Sequence, residues 1–386
     1  MHGRWEAIMK RYLVDSIRED LREKMVFLGG PRQVGKTTLA LGLIKGADES
    51  HPAYLSWDVP ESQRLLLAGG LPGDQALIIL DEIHKYKRWR NLVKGFYDRY
   101  KSTKQFLITG SARLDHYRRG GDSLQGRYHY YRLHPFSLHE LNRKPQQSDL
   151  DALLQFGGFP EPFLRHNTRH WKRWQRERLS RVIQEDLISL EHVKEVSQLQ
   201  LLAQMLPDRV GSVLSIVNLK QDLSVAFETA DKWVGIFENL YYCFRIMPYG
   251  LPHLRAVKKE RKLYLWDWSL CQDAAARFEN LVASHLLKYC HFREDTEGDD
   301  MSLRFLRDSV GREIDFVVLK NGKPEFAVEC KSGGRTLSKN IVYFSQRTSI
   351  PAFYQVHLQS DGEDSEWVDA KARIMPFRKF SEEMKL

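Results

Sequence analysis

An apolar strand that runs straight into a glycine-bracketed loop and then a helix is the feature that most constrains this chain. KMVFLG (24–29) leads into GGPRQVGKTT (29–38), and Gly30, Gly35, Lys36 and Thr37 stand in the spacing G-x-x-x-x-G-K-[ST]. That strand–loop–helix frame is what gives the spacing its meaning. Small residues let successive backbone N–H groups turn towards a polyphosphate, and the helix N-terminus adds a favourable dipole. The candidate cradle is Gly30, Pro31, Arg32, Gln33, Val34, Gly35, Lys36, Thr37 and Thr38. In it Lys36 reaches the β and γ phosphates of ATP or GTP, and the Thr37 hydroxyl ligates Mg²⁺.

The surrounding rhythm fits a P-loop sheet. KMVFLG, AYLSW, ALIIL, QFLIT and YHYYRL read as short strands separated by helical stretches. That alternation predicts a parallel sheet with helices on both faces. ALIILDE (76–82) delivers two acids at the end of a buried strand. Asp81 then holds Mg²⁺ through water and Glu82 polarises the attacking water, the alternative being an acidic cap on the next helix. His84 reads as a surface histidine. QFLITGSAR (105–113) ends in hydroxyls, so Thr109 or Ser111 either senses the γ-phosphate or shapes a turn. Arg127 stands just before the fifth strand, where an arginine can project into a neighbouring subunit's nucleotide. Arg113 is the other candidate, and plain surface roles are open to both. A trans arginine implies a ring, expected to be a hexamer.

At 386 residues the chain is too long for one core and predicts several domains. We expect a P-loop region (1–145), a helical linker (146–194), a helical module with a hairpin (195–268) and a C-terminal α/β domain (269–386). No run approaches the roughly 20 apolar residues needed to cross a bilayer. The N-terminal MHGRWEAIMKRYLVD lacks the apolar core of a secretory signal. Cys243, Cys271, Cys290 and Cys330 are widely spaced, which predicts reduced thiols in a cytoplasmic protein.

The net charge of +9 permits a polyanionic partner. Its placement is more informative. Between residues 165 and 181 seven Arg or Lys face one Glu, and Arg165, Arg169, Lys172, Arg173 and Arg176 fall on one helical stripe. The stripe is either a solvated face or a set of phosphate contacts with Trp171 and Trp174 interleaved. Further on, SQLQLLAQML, SIVNLKQDLS and AFETADKWVGIFENLYY are helical, followed by β-like YCFRIMPY and KLYLWDW around RAVKKERK. Three helices and a hairpin predict a winged helix-turn-helix, with Lys258 and Lys259 in its wing. EFAVECKSGG (325–334) then places Glu329 and Lys331 together on one face of a strand whose other face is apolar.

Taken together, GGPRQVGKTT, LIILDEIHK, FLITGSAR, SLQGRYHYYRLHPFSLHEL and FGGFP resemble a prokaryotic AAA+ ATPase family. There the ATPase domain is followed by a winged helix and a C-terminal domain of uncharacterised function. The resemblance extends over ENLYYCFRIMPY and RKLYLWDWSL and so covers nearly the whole chain. It implies catalytic or binding roles for Lys36, Thr37, Asp81, Glu82 and Arg127. The C-terminal domain resembles the restriction-endonuclease-like fold, whose motif is an acid on one strand and E-x-K on the next. That resemblance implies Mg²⁺ ligation by Asp315 and Glu329 with help from the helical Glu279, and a water-orienting Lys331. Ile314 stands where the motif has proline. The expected activity is an oligomeric, Mg²⁺-dependent ATPase that acts on DNA, structured or branched. Alternatives are an ATP-gated nuclease and a nucleotide-operated signalling switch that binds protein.

Overall fold

The computed structural model describes residues 11–110, 124–141, 144–182, 195–250, 260–331, 333, 336–359, 366–367 and 371–385. The chain forms two compact units, Met1–His134 and Pro135–Leu386.

The first unit is built on a five-stranded parallel sheet of β1 (Met25–Gly29), β2 (Tyr54–Ser56), β3 (Leu77–Asp81), β4 (Gln105–Thr109) and β5 (Tyr128–Arg132). Its order is β2-β3-β4-β1-β5. Every residue of β1 is buried, as expected of a central parallel strand covered on both faces. One face packs Phe27, Ile78, Leu80, Trp89, Phe96 and Phe106 into a core. Because β4 lies between β1 and β3, the C-terminal ends of these three strands are adjacent. Thr109 stands in register with both Leu28 and Asp81. All five strands fall where the alternation of the sequence predicts them.

The second unit carries an eight-stranded sheet ordered β12-β13-β11-β10-β9-β8-β6-β7. Its strands are β6 (Cys243–Pro248), β7 (Lys262–Leu265), β8 (Met301–Arg307), β9 (Glu313–Lys320), β10 (Lys323–Lys331), β11 (Phe353–His357), β12 (Glu366–Trp367) and β13 (Ala372–Pro376). The hairpin expected as a separate wing is the edge of this sheet, because β6 pairs with β8 through Met247 and Pro248. A boundary at 268 therefore runs through one sheet. Three helices, Val196–Met205, Ile216–Leu223 and Phe227–Asn239, precede that hairpin in the predicted order.

The helix Ala274–Glu297 is capped by the Asp273 carboxylate and ends at Gly298 in a left-handed turn. Its buried face carries Phe278, Leu281 and Leu286. The FGGFP turn is explained by crowding. A Cβ at Gly158 would lie 2.6 Å from the Phe136 carbonyl oxygen and 2.5 Å from the Trp268 ring. Only glycine fits there.

Candidate functional site

The phosphate loop is shaped by its backbone. Gly30 adopts φ 146°, and a Cβ there would sit 2.4 Å from the Leu133 carbonyl oxygen. Gln33 and Gly35 are also left-handed, which turns the loop into the helix beginning at Lys36. The buried Lys36 ammonium donates to the carbonyls of Gly30 (2.9 Å) and Pro31 (2.8 Å), folding over its own loop. Arg11 braces the loop from outside the motif by donating to the Val34 carbonyl (2.8 Å) and to that of His134 (2.5 Å). It lies far upstream of the spacing that marks the loop, so no local pattern could have found it.

Asp81 sits at the tip of β3 and is held by hydroxyls. Thr37 Oγ1 (3.2 Å) and Tyr54 Oη (2.6 Å) donate to its Oδ2, and Thr109 Oγ1 donates to Oδ1. Tyr54 went unnoticed in the sequence. Its signal was two hydroxyl-bearing residues, Tyr54 and Ser56, on alternate positions of a strand that proves to neighbour β3. Burial, and then the adjacent Asp81 carboxylate, push the Tyr54 phenol well above its ordinary range, so it remains a proton donor. Thr109 is fully buried, and its hydroxyl donates to Asp81. Ser111, with Arg113, lies outside the described residues.

Glu82 adopts a left-handed backbone (φ 54°, ψ 20°) with its N–H on the Thr109 carbonyl at 3.0 Å. For a non-glycine residue this strain costs about 1–3 kcal/mol, held here by the surrounding sheet. Its carboxylate lies 3.6 Å from His84 Nε2 and 3.7 Å from Lys85 Nζ. His84 is buried rather than on the surface, and that burial pushes its pKa down. Thr37 and Asp81 are adjacent and carry oxygen donors, which suits Mg²⁺ with nucleotide phosphates completing its shell. Arg127 is at the other end of the sheet. Its carbonyl accepts from Met25 N, and its Nε donates to Asp98 at 3.1 Å. Five paired positions of β1 and β5 separate it from the loop, roughly 17 Å at strand rise. It cannot serve the nucleotide of its own loop.

In the second unit, Glu279, Asp315 and Glu329 do approach one another, but lysines hold them. Lys262 Nζ lies 3.4 Å from Glu279, 2.5 Å from Glu313 and 3.7 Å from Asp315. Tyr264 Oη donates to Glu279 (2.8 Å), and Cys330 N donates to Asp315 (2.8 Å). Lys331 pairs with Glu329 at 2.8 Å, and Ser338 Oγ donates to the same carboxylate at 3.2 Å. Burial, then repulsion by Asp315, push Glu279 and Glu329 each up to about 7. No three His, Cys, Asp or Glu side chains are grouped to hold a metal ion among the described residues. The expected ligand set does not fit a metal here. Lys262 was read as part of a basic stretch, yet it is 2% exposed and faces inwards.

The basic stripe is exposed. Arg169, Lys172, Arg173 and Arg176 share one exposed face of the helix Thr168–Arg181 with Thr168, and Arg165 lies just before it. The tryptophans are not interleaved with it. Trp174 is buried and Trp171 Nε1 donates to Ser269 Oγ at 3.1 Å, so both face the protein interior. Lys258 and Lys259 lie outside the described residues. All four cysteines are free. No helix among the described residues is long and apolar enough to cross a membrane.

Comparison with known proteins matches residues 22–142 to an AAA domain, 147–281 to a domain of unknown function (DUF8612) and 275–380 to another (DUF4143). The uncharacterized protein Rv2008c of Mycobacterium tuberculosis is 26% identical over 250 residues, 64% of this chain and 55% of that protein. The uncharacterized protein MJ1637 of Methanocaldococcus jannaschii is 22% identical, covering 72% of this chain and 70% of its own length. The chain thus spans about half the length of the mycobacterial relative it matches. Among solved structures, the Thermotoga maritima RuvB Holliday junction branch migration motor aligns at 18% identity and TM-score 0.31, over 61% of this chain and 90% of that one. A Pyrococcus horikoshii signal transduction ATPase with numerous domains, carrying a tetratricopeptide repeat sensor, aligns at 13% and TM-score 0.23, over 76% and 50%. The first unit contains an AAA-type P-loop ATPase domain.

Proposed function

We propose that the chain is a Mg²⁺-dependent, ring-forming ATPase, expected as a hexamer in the cytoplasm, that acts on structured or branched DNA. The observation that carries the ATPase part is the convergence of Lys36, Thr37, Asp81 and Glu82 at adjacent strand ends. On binding, Lys36 exchanges two loop carbonyls for phosphate oxygens. Thr37 and Asp81 would hold Mg²⁺, which would supply charge neutralisation for phosphoryl transfer. Glu82 orients and polarises the attacking water. Arg127, remote from its own loop and half-buried beside Asp98 at the opposite end of the sheet, supports a trans role in a neighbour's site. The exposed basic stripe supports contact with a polyanion whose affinity falls steeply with salt through counterion release.

ATPase rate measured with single-stranded, duplex, forked and four-way DNA tests this reading. Stimulation by one form is expected. Indifference to every form, with no DNA binding at low salt, removes DNA and leaves the nucleotide-operated switch. Mixing Arg127→Ala with Lys36→Ala subunits tests the trans arrangement. Partial recovery is expected, and mixtures that assemble yet stay inactive overturn it.

A further inference from the structure

The carboxylates expected to bind metal in the second unit already enclose a cation. Lys262 opens β7 and is paired there with Ile246 of β6. Its side chain is 2% exposed, while those of Glu279, Glu313 and Asp315 are 20%, 24% and 16% exposed. The ammonium therefore lies at the floor of the cluster with the acids around it. The Phe305 ring, 5.7 Å away, adds a second attractive surface.

We infer that Lys262 stands in the place of a divalent cation, so this carboxylate face is closed to Mg²⁺ and does not hydrolyse phosphodiesters. A Mg²⁺ ion requires oxygens at about 2.0–2.1 Å in near-octahedral array. An ion bound to both Glu279 and Asp315 would lie against an ammonium within 3.4 Å of one and 3.7 Å of the other. The two cations would repel in a pocket where water screens them poorly. Several of the remaining lone pairs are also used, while the buried Glu329 Oε2 has no hydrogen-bond partner among the described residues. Asp315 Oδ2 accepts from Cys330 N, Glu279 Oε1 accepts from Tyr264, and Glu329 Oε1 takes both Lys331 and Ser338. The same contacts tie the hairpin to the helix Ala274–Glu297 and to β9, so the lysine joins three elements while excluding metal. This inference concerns the C-terminal face alone and stands whether or not the ATPase acts on DNA.

Mn²⁺ binding to the full chain without nucleotide tests it, read by electron paramagnetic resonance or calorimetry. Wild type and Asp315→Asn should give the same isotherm. Lys262→Met should gain a site at least about tenfold tighter than any residual binding, through removal of a neighbouring positive charge. That gain should vanish when Asp315→Asn is added. If Lys262→Met does not fold, Lys262→Met with Glu279→Gln removes one charge of each sign and serves in its place. Asp315-dependent Mn²⁺ binding by wild type overturns the inference. So does a folded Lys262 variant that gains no site.

Discussion

Two strand ends in this molecule present carboxylates, and they differ in what compensates the charge. At the tip of β3, Asp81 is held by three hydroxyls, from Thr37, Tyr54 and Thr109. Neutral donors orient the carboxylate without cancelling its charge, leaving it ready for an incoming cation. At the C-terminal sheet, Glu279 of the helix Ala274–Glu297 and Glu313 and Asp315 of β9 surround the Lys262 ammonium, and Glu329 carries Lys331. There the cation is covalently part of the chain. The two clusters thus differ in charge balance: hydroxyl donors leave Asp81 its negative charge, while lysines offset the C-terminal acids.

The largest break in that comparison should come at the first site. Glu82→Gln should leave nucleotide binding intact and lower turnover by about 10²–10⁴, since only the water-activating group is lost. Lys36→Ala should weaken nucleotide binding itself. Glu329→Gln on the second sheet should leave the ATPase rate unchanged. Steady-state hydrolysis and nucleotide affinity for the three variants decide this, and normal turnover in Glu82→Gln removes Glu82 from catalysis.

The second sheet should answer through stability. Lys262→Met leaves three acids without their common partner, and breaking such a buried arrangement costs about 3–5 kcal/mol. Lys331→Met removes a half-exposed lysine whose head group reaches solvent, so its cost should be nearer 1 kcal/mol. Denaturant midpoints for the second unit's unfolding compare them. Equal losses would mean that Lys262 is no more integral than an ordinary surface ion pair.

The first site was legible because its chemistry is local. Gly30 to Thr38 are consecutive, and Asp81 and Glu82 close an unbroken apolar run, so period and spacing sufficed. Tyr54 and Arg11 were not legible, since their roles depend on strand order and on a contact 23 residues away. Lys262 was misread for a related reason. In sequence it ends a basic stretch, and only the pairing of β6 with β8 turns it inwards onto Glu279. The tryptophans at 171 and 174 failed differently. On a helix so rich in arginine they were read as interleaved with phosphate contacts, yet Trp174 is buried and Trp171 donates to Ser269.

Acid should distinguish the regions next. His285, fully buried in the second unit, donates from Nδ1 to the Leu281 carbonyl (2.8 Å) and accepts from Leu138 N at Nε2 (3.4 Å). Burial, with the nearby Lys288 ammonium adding to it, pushes its pKa down to about 3. The unfolded chain then binds the extra proton first, so this residue makes stability fall as pH drops from about 6.5 towards 3. Glu279 and Glu329, pushed up to about 7, act with the opposite sign, favouring the folded state as pH falls from about 7 to 4.5. The contribution of His285 is therefore read as a difference. His285→Gln should flatten the acid side of the stability profile relative to wild type, and parallel profiles would show that His285 is already protonated in the fold.

The smallest effects should be the most discriminating, because each carboxylate site carries one tyrosine. Tyr54 Oη donates to Asp81 at 2.6 Å and Tyr264 Oη donates to Glu279 at 2.8 Å. Burial raises the pKa of both phenols, so each is a permanent neutral donor. Phenylalanine at either position removes one hydrogen bond to a charged group, at a cost of about 1.5–3 kcal/mol in stability. Function should separate them. In Tyr54→Phe the Asp81 Oδ2 atom keeps only Thr37, the residue that must also meet Mg²⁺, so the Mg²⁺ concentration for half-maximal ATPase should shift by a few-fold, about 1 kcal/mol or less in binding. In Tyr264→Phe the Lys262 ammonium still fills its cluster, and the Mg²⁺ dependence of ATPase should not move. A shift in the Tyr264 variant equal to that in the Tyr54 variant would mean that the C-terminal carboxylates contribute to the metal requirement after all, and that Lys262 does not close them.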